Sequence, residues 1–397
     1  MTTSPLVLLA VALGASAAAA AADPPKLPSP YHTPSASNAP RVVDRPDGAR
    51  LTVPAGFSIE EYATGFSTPR YMIYGPSSEI LLTESGRQGG VFALVDKNKD
   101  GKISEDEKVR LVDKLYRPFG LAIWKDYLYI GEVTSIKRYK YDSKALKLGP
   151  GEEVVSLSDA DQGHWTRSIL FNRAGDKFYV GVGSKSNVSP GEPPIRATIS
   201  RYSPDGSGRE IIATGTRNPI GLALYPGTDT LWAAVQERDG LGDDLVPDYF
   251  TSIKPGGFYG WPYSYIGPNE DPRNKGQKPD LVAKTIVPDV VLPAHVAVLD
   301  ARFYTGKMFP AKYQGGAFLA FHGSWNRAQR IGYSVAFVPF KDGKPSGPRE
   351  DFLTGFMTDP SSKDVWGRPV GLLPMTDGSL LVTDDGGNKI WRISYKK

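Results

Sequence analysis

Four histidines occur in the 397-residue chain, and one of them, His164, stands in "GHWTRSILF" just ahead of an apolar run. A neutral imidazole, with an ordinary pKa of about 6.5, is a fitting proton acceptor, so this position is a candidate general base. Arg217 and Asn218 hold the corresponding place ahead of "PIGLALY". A fixed guanidinium there could stabilise negative charge that grows during a reaction. Glu237, Arg238, Asp243 and Asp244 follow in "QERDGLGDDL", His322 and Arg327 in "FHGSWNR", and Arg368 ahead of "PVGLL". Cations, imidazoles and carboxylates at matching ends of different strands suit an anionic, metal-assisted ligand. Each residue also has a plainer reading. His164 can close a loop, Arg217 can pair with a carboxylate, and Asn218 can hold the turn before Pro219. Arg167 and Arg368 either bind an anionic ligand or tie neighbouring units, while His322 and Trp325 line either a floor or a mouth. His32 and His295 are assigned no chemistry.

A second constellation is "DKNKDGKISEDE", residues 96–107. Asp96, Asn98 and Asp100 can offer side-chain oxygens, Lys102 a backbone carbonyl, and Glu107 a bidentate carboxylate, with Gly101 at the sharp turn. This fits the twelve-residue calcium-loop template. Its flanks, "GGVFALV" and "KVRLVDKL", alternate like strands, so the expected role is to rigidify an inter-strand loop. An unoccupied acidic turn is the alternative.

The elements that must position these residues repeat along the chain. Units open at Pro69, Pro118, Thr166, Pro219, Ala301 and Arg368, at intervals of 49, 48, 53, 82 and 67 residues. Each reads as an apolar strand, a polar turn, and a second alternating strand, with a third strand in several units. Pro-x-Gly-Leu recurs at the openings. Units of this length cannot cover both of their apolar faces alone and must stack on neighbours. The expectation is an all-β fold, a six-bladed β-propeller with four-stranded antiparallel blades occupying residues 49–397; a generic β-sandwich is the competing architecture. The 236–293 interval reads as a long loop insertion, poor in strand signals. Its aromatics Phe258, Tyr259, Trp261, Tyr263 and Tyr265 either stack on a planar ligand or anchor the excursion.

Composition agrees with many short strands: 43 glycines and 34 prolines punctuate the sequence. A net charge of +4 with no lysine/arginine block argues against nucleic-acid binding. Residues 1–22 are apolar and end in alanines, as a signal peptide does, though without a positive start; a retained anchor is the alternative. Residues 23–48 read as a Pro-rich, at best partly ordered leader. No later segment is apolar enough to span a membrane, so the mature protein is expected to be periplasmic or secreted and not membrane-embedded. With no cysteine, disulfides and thiolate metal sites are excluded.

"GHWTRSILF", "GTRNPIGLALYP", "ERDGLGDD" running to "GGFYGWP", and "HGSWNR", in this order across six repeats, resemble the soluble quinoprotein sugar dehydrogenases, in particular their sorbosone dehydrogenase-like branch. The likeness runs from about residue 50 to the end. It implies pyrroloquinoline quinone (PQQ) lying over the channel, held through its carboxylates and a calcium ion. His164 then corresponds to the catalytic base, and Arg217 and Asn218 to the pair at the reactive carbonyl. Arg167, Arg238, His322, Arg327 and Arg368 are expected cofactor contacts. The "ERDGLGDD" loop corresponds to the calcium-supplying loop, with Glu237 and Asp244 as side-chain ligands. Here Glu-Arg-Asp replaces the glycine-proline of the glucose-oxidising branch. An aldose or a sugar aldehyde such as sorbosone is the implied substrate, and a separate electron acceptor the implied partner. A calcium-dependent lactonase and a non-catalytic binding propeller are the competing functions.

Overall fold

The computed structural model describes residues 26–396. The expected signal segment lies outside this range. Six antiparallel sheets of four main strands surround an axis. Blade 1 comprises Pro69–Tyr74, Ile80–Glu84, Gly89–Leu94 and Lys108–Leu115. Blade 2 comprises Leu121–Trp124, Tyr127–Glu132, Ser135–Asp142 and Lys147–Ser156. Blade 3 comprises Arg167–Phe171, Phe178–Val182, Thr198–Tyr202 and Glu210–Thr214, with Gly257–Phe258 added in parallel at its edge. Blade 4 comprises Asn218–Leu224, Leu231–Gln236, Pro247–Ser252 and Val290–Ala294. Blade 5 comprises Val298–Phe303, Ala317–Phe321, Ser334–Val338 and Glu350–Leu353. Blade 6 comprises Pro369–Pro374, Leu380–Asp384 and Lys389–Tyr395, and its outermost strand, Phe57–Ala63, comes from the N-terminal side.

In each blade the first strand is innermost, and these six strands touch one another in a ring. Hydrogen bonds stitch the ring shut. Thr83 donates to the Phe119 carbonyl (3.2 Å), Gly120 N–H to Arg167 O (3.0 Å), and Ser168 to Ile220 O. Gln236 Nε2 donates to Val298 O (3.2 Å), Leu372 N–H to Asp300 Oδ2 (2.9 Å), and Thr383 to Arg70 O (2.6 Å). Hydrophobic clusters fill the spaces between neighbouring sheets, such as Tyr71, Leu81, Leu121, Leu128 and Ile130 between blades 1 and 2.

The recurring Pro-x-Gly-Leu now has a cause. A Cβ on Gly221 would lie 2.7 Å from Ala301 N and 2.9 Å from Asp300 Cα; one on Gly120 would lie 2.7 Å from Ile169 N. Gly371 likewise faces the Arg70 carbonyl. In each case the obstacle is the backbone of the next blade's inner strand. Glycine is required there for close approach.

Two expectations change. The 236–293 interval contains two of blade 4's strands, so the true excursion is 253–289. "PDYFTS" is buried along its whole length, which erases the alternation that marks a half-exposed strand. The leader is not loose either: Arg41–Val42 pairs in parallel with Asp364–Val365, and Arg41 forks onto Asp364 at 2.6 and 2.8 Å.

Gly221→Ala is expected to destabilise the protein by about 1–3 kcal/mol, because the inner strands of blades 4 and 5 must part. Urea unfolding checks this; an unchanged midpoint would refute the close-approach account.

Candidate active site

Residues that precede the inner strands and residues that follow the second strands emerge at one end of the ring. Two adjoining cavities lie there. One, of about 160 Å³, is lined by His164, Arg217, Gln236, Glu237, Asp239, Asp248, His295 and Asn326. The other, of about 210 Å³, is lined by Arg70, His164, Trp165, Asn218, His322 and Arg368. His164, Gln236, Ala297 and Trp325 border both.

His164 is held at the junction. Its Nδ1 donates to the Ser184 carbonyl at 2.8 Å, which fixes the tautomer and leaves Nε2 with a free lone pair. Gly183 makes room for this packing: a Cβ there would come 2.6 Å from His164 Cβ. Burial, reinforced by the Arg217 guanidinium, pushes the imidazole down to about 3. At neutral pH it is therefore an unprotonated acceptor.

Arg217 is buried and fully oriented. Nε donates to Asn187 O (3.1 Å), Nη1 to Glu237 O (2.6 Å) and Nη2 to Asn187 Oδ1 (3.1 Å), with Asp239 Oδ2 at 3.5 Å. Asn218 donates to Gln236 Oε1 (3.0 Å), and its own Oδ1 is buried with no hydrogen-bond partner. Such an orphan beside a cavity is a place for a ligand donor. Asp239 also bonds Asn326, while Asn326 donates to His295 Nδ1 (3.0 Å). Asp248 accepts the N–H groups of Glu237 (2.8 Å) and Val298 (3.2 Å), and burial pushes its carboxyl up to about 7.

The second cavity carries cations. His322 Nε2 donates to Asp385 Oδ1 (2.8 Å), and Arg70 pairs with Asp385 Oδ2 (2.5 Å). Burial alone would raise the Asp385 carboxyl, but Arg70 and His322 hold it well below the usual range. Burial and Arg368 push His322 down to about 4. Arg368 reaches back to His322 O (3.2 Å). Arg70 is paired with Asp385, while the Arg368 guanidinium donates only to the His322 carbonyl and retains donors for a ligand carboxylate.

The sequence candidates thus divide. His164, Arg217, Asn218, Glu237, His322 and Arg368 converge on the two cavities. Arg167 does not line them: it is fully buried, donating to the carbonyls of Val133, His164, Thr166 and Ala160. Arg238 is likewise sealed, between Glu237, Asp271 and the carbonyls of Pro262 and Ser264. Arg327 instead holds Asp244 (2.7 Å) and the Asp243 carbonyl, and both Arg327 and Asp244 line a separate groove. The aromatics of the excursion are anchors. Phe258, Tyr259, Trp261 and Tyr265 are buried, with Trp261 Nε1 on Asn187 O (2.8 Å).

In the 96–107 loop the candidate oxygens serve the loop's own backbone. Asp96 accepts from Asp100 N and Gly101 N, Asn98 from Asp100 N, Asp100 from Lys102 N, and Glu107 from Lys97, Asn98 and Ser104. The Ser104 contacts foremost lower Glu107 to about 2. The loop joins Gly89–Leu94 to Lys108–Leu115, so strands do flank it. Among the described residues, no group of three or more His, Asp or Glu side chains is arranged to hold a metal ion.

Arg70, Asp239, His295, Asn326 and Asp385 were missed. Arg70 follows its strand's opening proline, opposite Ile220 and Val370 in the other repeats, so aligning the repeats gives no signal for it. Asp385 directly follows a second strand, as Glu237 does. His295 and Asn326 carry no such signal.

A ring of six blades with an imidazole and an oriented guanidinium on one cavity at its mouth defines a six-bladed β-propeller with a polar site over its axis. Residues 51–247 and 271–396 match the TrAA12-like family, and the chain belongs to it. It is 32% identical to an uncharacterized protein of Borreliella burgdorferi over 87% of this chain and 91% of that one. It is 23% identical to a pyrroloquinoline quinone-dependent pyranose dehydrogenase of Coprinopsis cinerea over 87% of this chain, spanning 54% of that protein's length. Its fold matches a Trichoderma reesei Carbohydrate-Active Enzymes Family AA12 structure with a TM-score of 0.76 at 22% identity, covering 90% of this chain and 99% of the other.

Because unfolded histidine takes a proton near its ordinary value of 6.5 and folded His164 only at about 3, stability is lost as pH falls between these values. His164→Gln should remove roughly 1–2 kcal/mol of the acid destabilisation between pH 7 and pH 5. Urea unfolding at the two pH values checks it, and an unaltered pH slope would refute the depressed imidazole.

Proposed function

We propose that the protein is a PQQ-dependent dehydrogenase that oxidises an aldose or a sugar aldehyde such as sorbosone, with His164 as the proton acceptor. The observation that carries this reading is the meeting of His164 and Arg217 on one cavity that opens onto the Arg70–His322–Arg368 floor. Family membership and the curated fungal relative support it.

The residues present fit an anionic planar cofactor: Arg70, Arg368 and His322 supply cationic and donor groups, and Asn218 Oδ1 lacks a partner. Trp165 is faced by Arg70 and Arg117 at 5.1 and 5.3 Å, which stiffens that wall. PQQ, when bound, supplies the two-electron acceptor for the sugar's hydride. The chain supplies the rest. His164 Nε2 takes the substrate hydroxyl proton, and the bond from Nδ1 to Ser184 stabilises the imidazolium as it forms. Arg217, pinned by Asn187 and Glu237, offers fixed positive charge without reorganisation.

Calcium fits less fully. Glu237 Oε1 is buried without a partner, but Glu237 Oε2 is taken by Arg238, and Asp239 and Asp248 are engaged elsewhere. A calcium ion would draw on Glu237 and on oxygens of the bound ligand, and no step is assigned to it. The lactonase alternative needs a side-chain calcium cage drawn from several blades and gives no reason for His164 and Arg217 to share a cavity. Export belongs to the same proposal, resting on the apolar first 22 residues.

Apoprotein mixed with PQQ and calcium should develop a bound-quinone spectrum and reduce a dye with sugars or sugar aldehydes. His164→Ala should lower kcat by about 10²–10⁴-fold while sparing quinone uptake. No quinone binding would overturn the dehydrogenase reading; wild-type turnover in the variant would overturn the base assignment.

A further inference from the structure

The leader crosses the rim of the candidate site and is hydrogen-bonded to the loops that build it. Tyr31 N–H donates to Leu241 O (2.8 Å), and Asp243 N–H donates to Thr33 Oγ1 (2.7 Å). These two contacts hold the turn that follows Asp239. Further along, Asn38 serves the loop of blade 5 that carries Trp325 and Asn326. Its N–H donates to Trp325 O (2.7 Å), and its Nδ2 to Arg327 O (3.1 Å) and Ala328 O (3.0 Å). Arg330, itself buried, donates from Nη2 to Asn38 O (2.7 Å) and Oδ1 (2.8 Å). Asn38 therefore ties three carbonyls of one loop, that of Trp325 through its main chain and those of Arg327 and Ala328 through its side chain, and is locked by a buried guanidinium.

What that loop presents gives the arrangement its meaning. The Trp325 indole is 47% exposed yet borders both cavities. A large aromatic left half in water at a cavity mouth is free to swing unless its backbone is fixed. The next residue, Asn326, bonds Asp239 and His295 inside the cavity, so displacement of the loop would also disturb the site's polar wall.

We propose that Asn38 is a positioning residue and the leader a strap. By fixing the Trp325 loop it sets the aperture through which substrate reaches His164. That the entering molecule is a sugar rests on the dehydrogenase reading; the positioning does not.

The test uses the full chain labelled with 5-fluorotryptophan, whose seven tryptophans give separable ¹⁹F signals. Trp325→Phe assigns the relevant one. In the apoprotein, Asn38→Ala keeps the main-chain bond to Trp325 O but removes the side-chain bonds to Arg327 O, Ala328 O and Arg330, and should therefore shift or broaden the Trp325 signal, leave the six others in place, and lower Tm only slightly. Thr33→Val, which keeps shape and loses the acceptor for Asp243 N–H, should act in the same direction more weakly. In the PQQ-loaded protein, Asn38→Ala should raise KM about three- to tenfold, with kcat within about twofold. An unmoved Trp325 signal in both variants would overturn the strap, as would an unchanged KM. Absence of turnover in the wild type would count against the dehydrogenase reading alone, since the fluorine signal still decides the positioning.

Discussion

Everything at the active end depends on how closely six inner strands approach one axis. Backbone meets backbone where Gly120, Gly221 and Gly371 face the next blade, and hydrogen bonds run from each blade to its neighbour around the ring. A methyl group at any of these glycines would wedge two blades apart. The diameter of the ring fixes the distances between residues that precede the strands. His164 and Arg217 belong to successive blades and share one cavity because the strands behind them cannot separate.

The same compactness decides which charges are structural. A guanidinium a few residues too deep is sealed and must be satisfied by carbonyls. Arg167 and Arg238 take that course, each closing a loop from within. Their burial is tolerable because nearly every donor finds an acceptor. Arg70, Arg217 and Arg368 stand at the cavity wall. Chemically identical side chains thus split between scaffold and site by depth alone.

Sequence periodicity disclosed the six blades because alternating strands and repeated turn residues are local properties. His164, Arg217, Asn218 and Arg368 were visible for a related reason: each occupies a fixed place ahead of a repeat. Depth is not local, and Arg167, in that same place, was indistinguishable from them. The carboxylates around Arg217 and the His295–Asn326 contact join residues tens of positions apart, with no spacing rule to announce them. The leader misled for another cause. Its prolines signal extension, but extension is also what a strand-like strap needs, and only its partners distinguish the two. In the calcium-like loop one set of oxygens fits two descriptions. Oxygens spaced to hold an ion are equally spaced to accept the loop's own N–H groups.

Blade 6 takes three strands from the end of the chain and its fourth, Phe57–Ala63, from near the start. During synthesis that early strand must wait, unpaired, until more than three hundred further residues have been made. A growing polypeptide can assemble individual sheets but cannot shut the circle, and an exposed edge of this kind invites pairing with other chains. The closed ring therefore appears only once the strand Lys389–Tyr395 is free to pair with Phe57–Ala63.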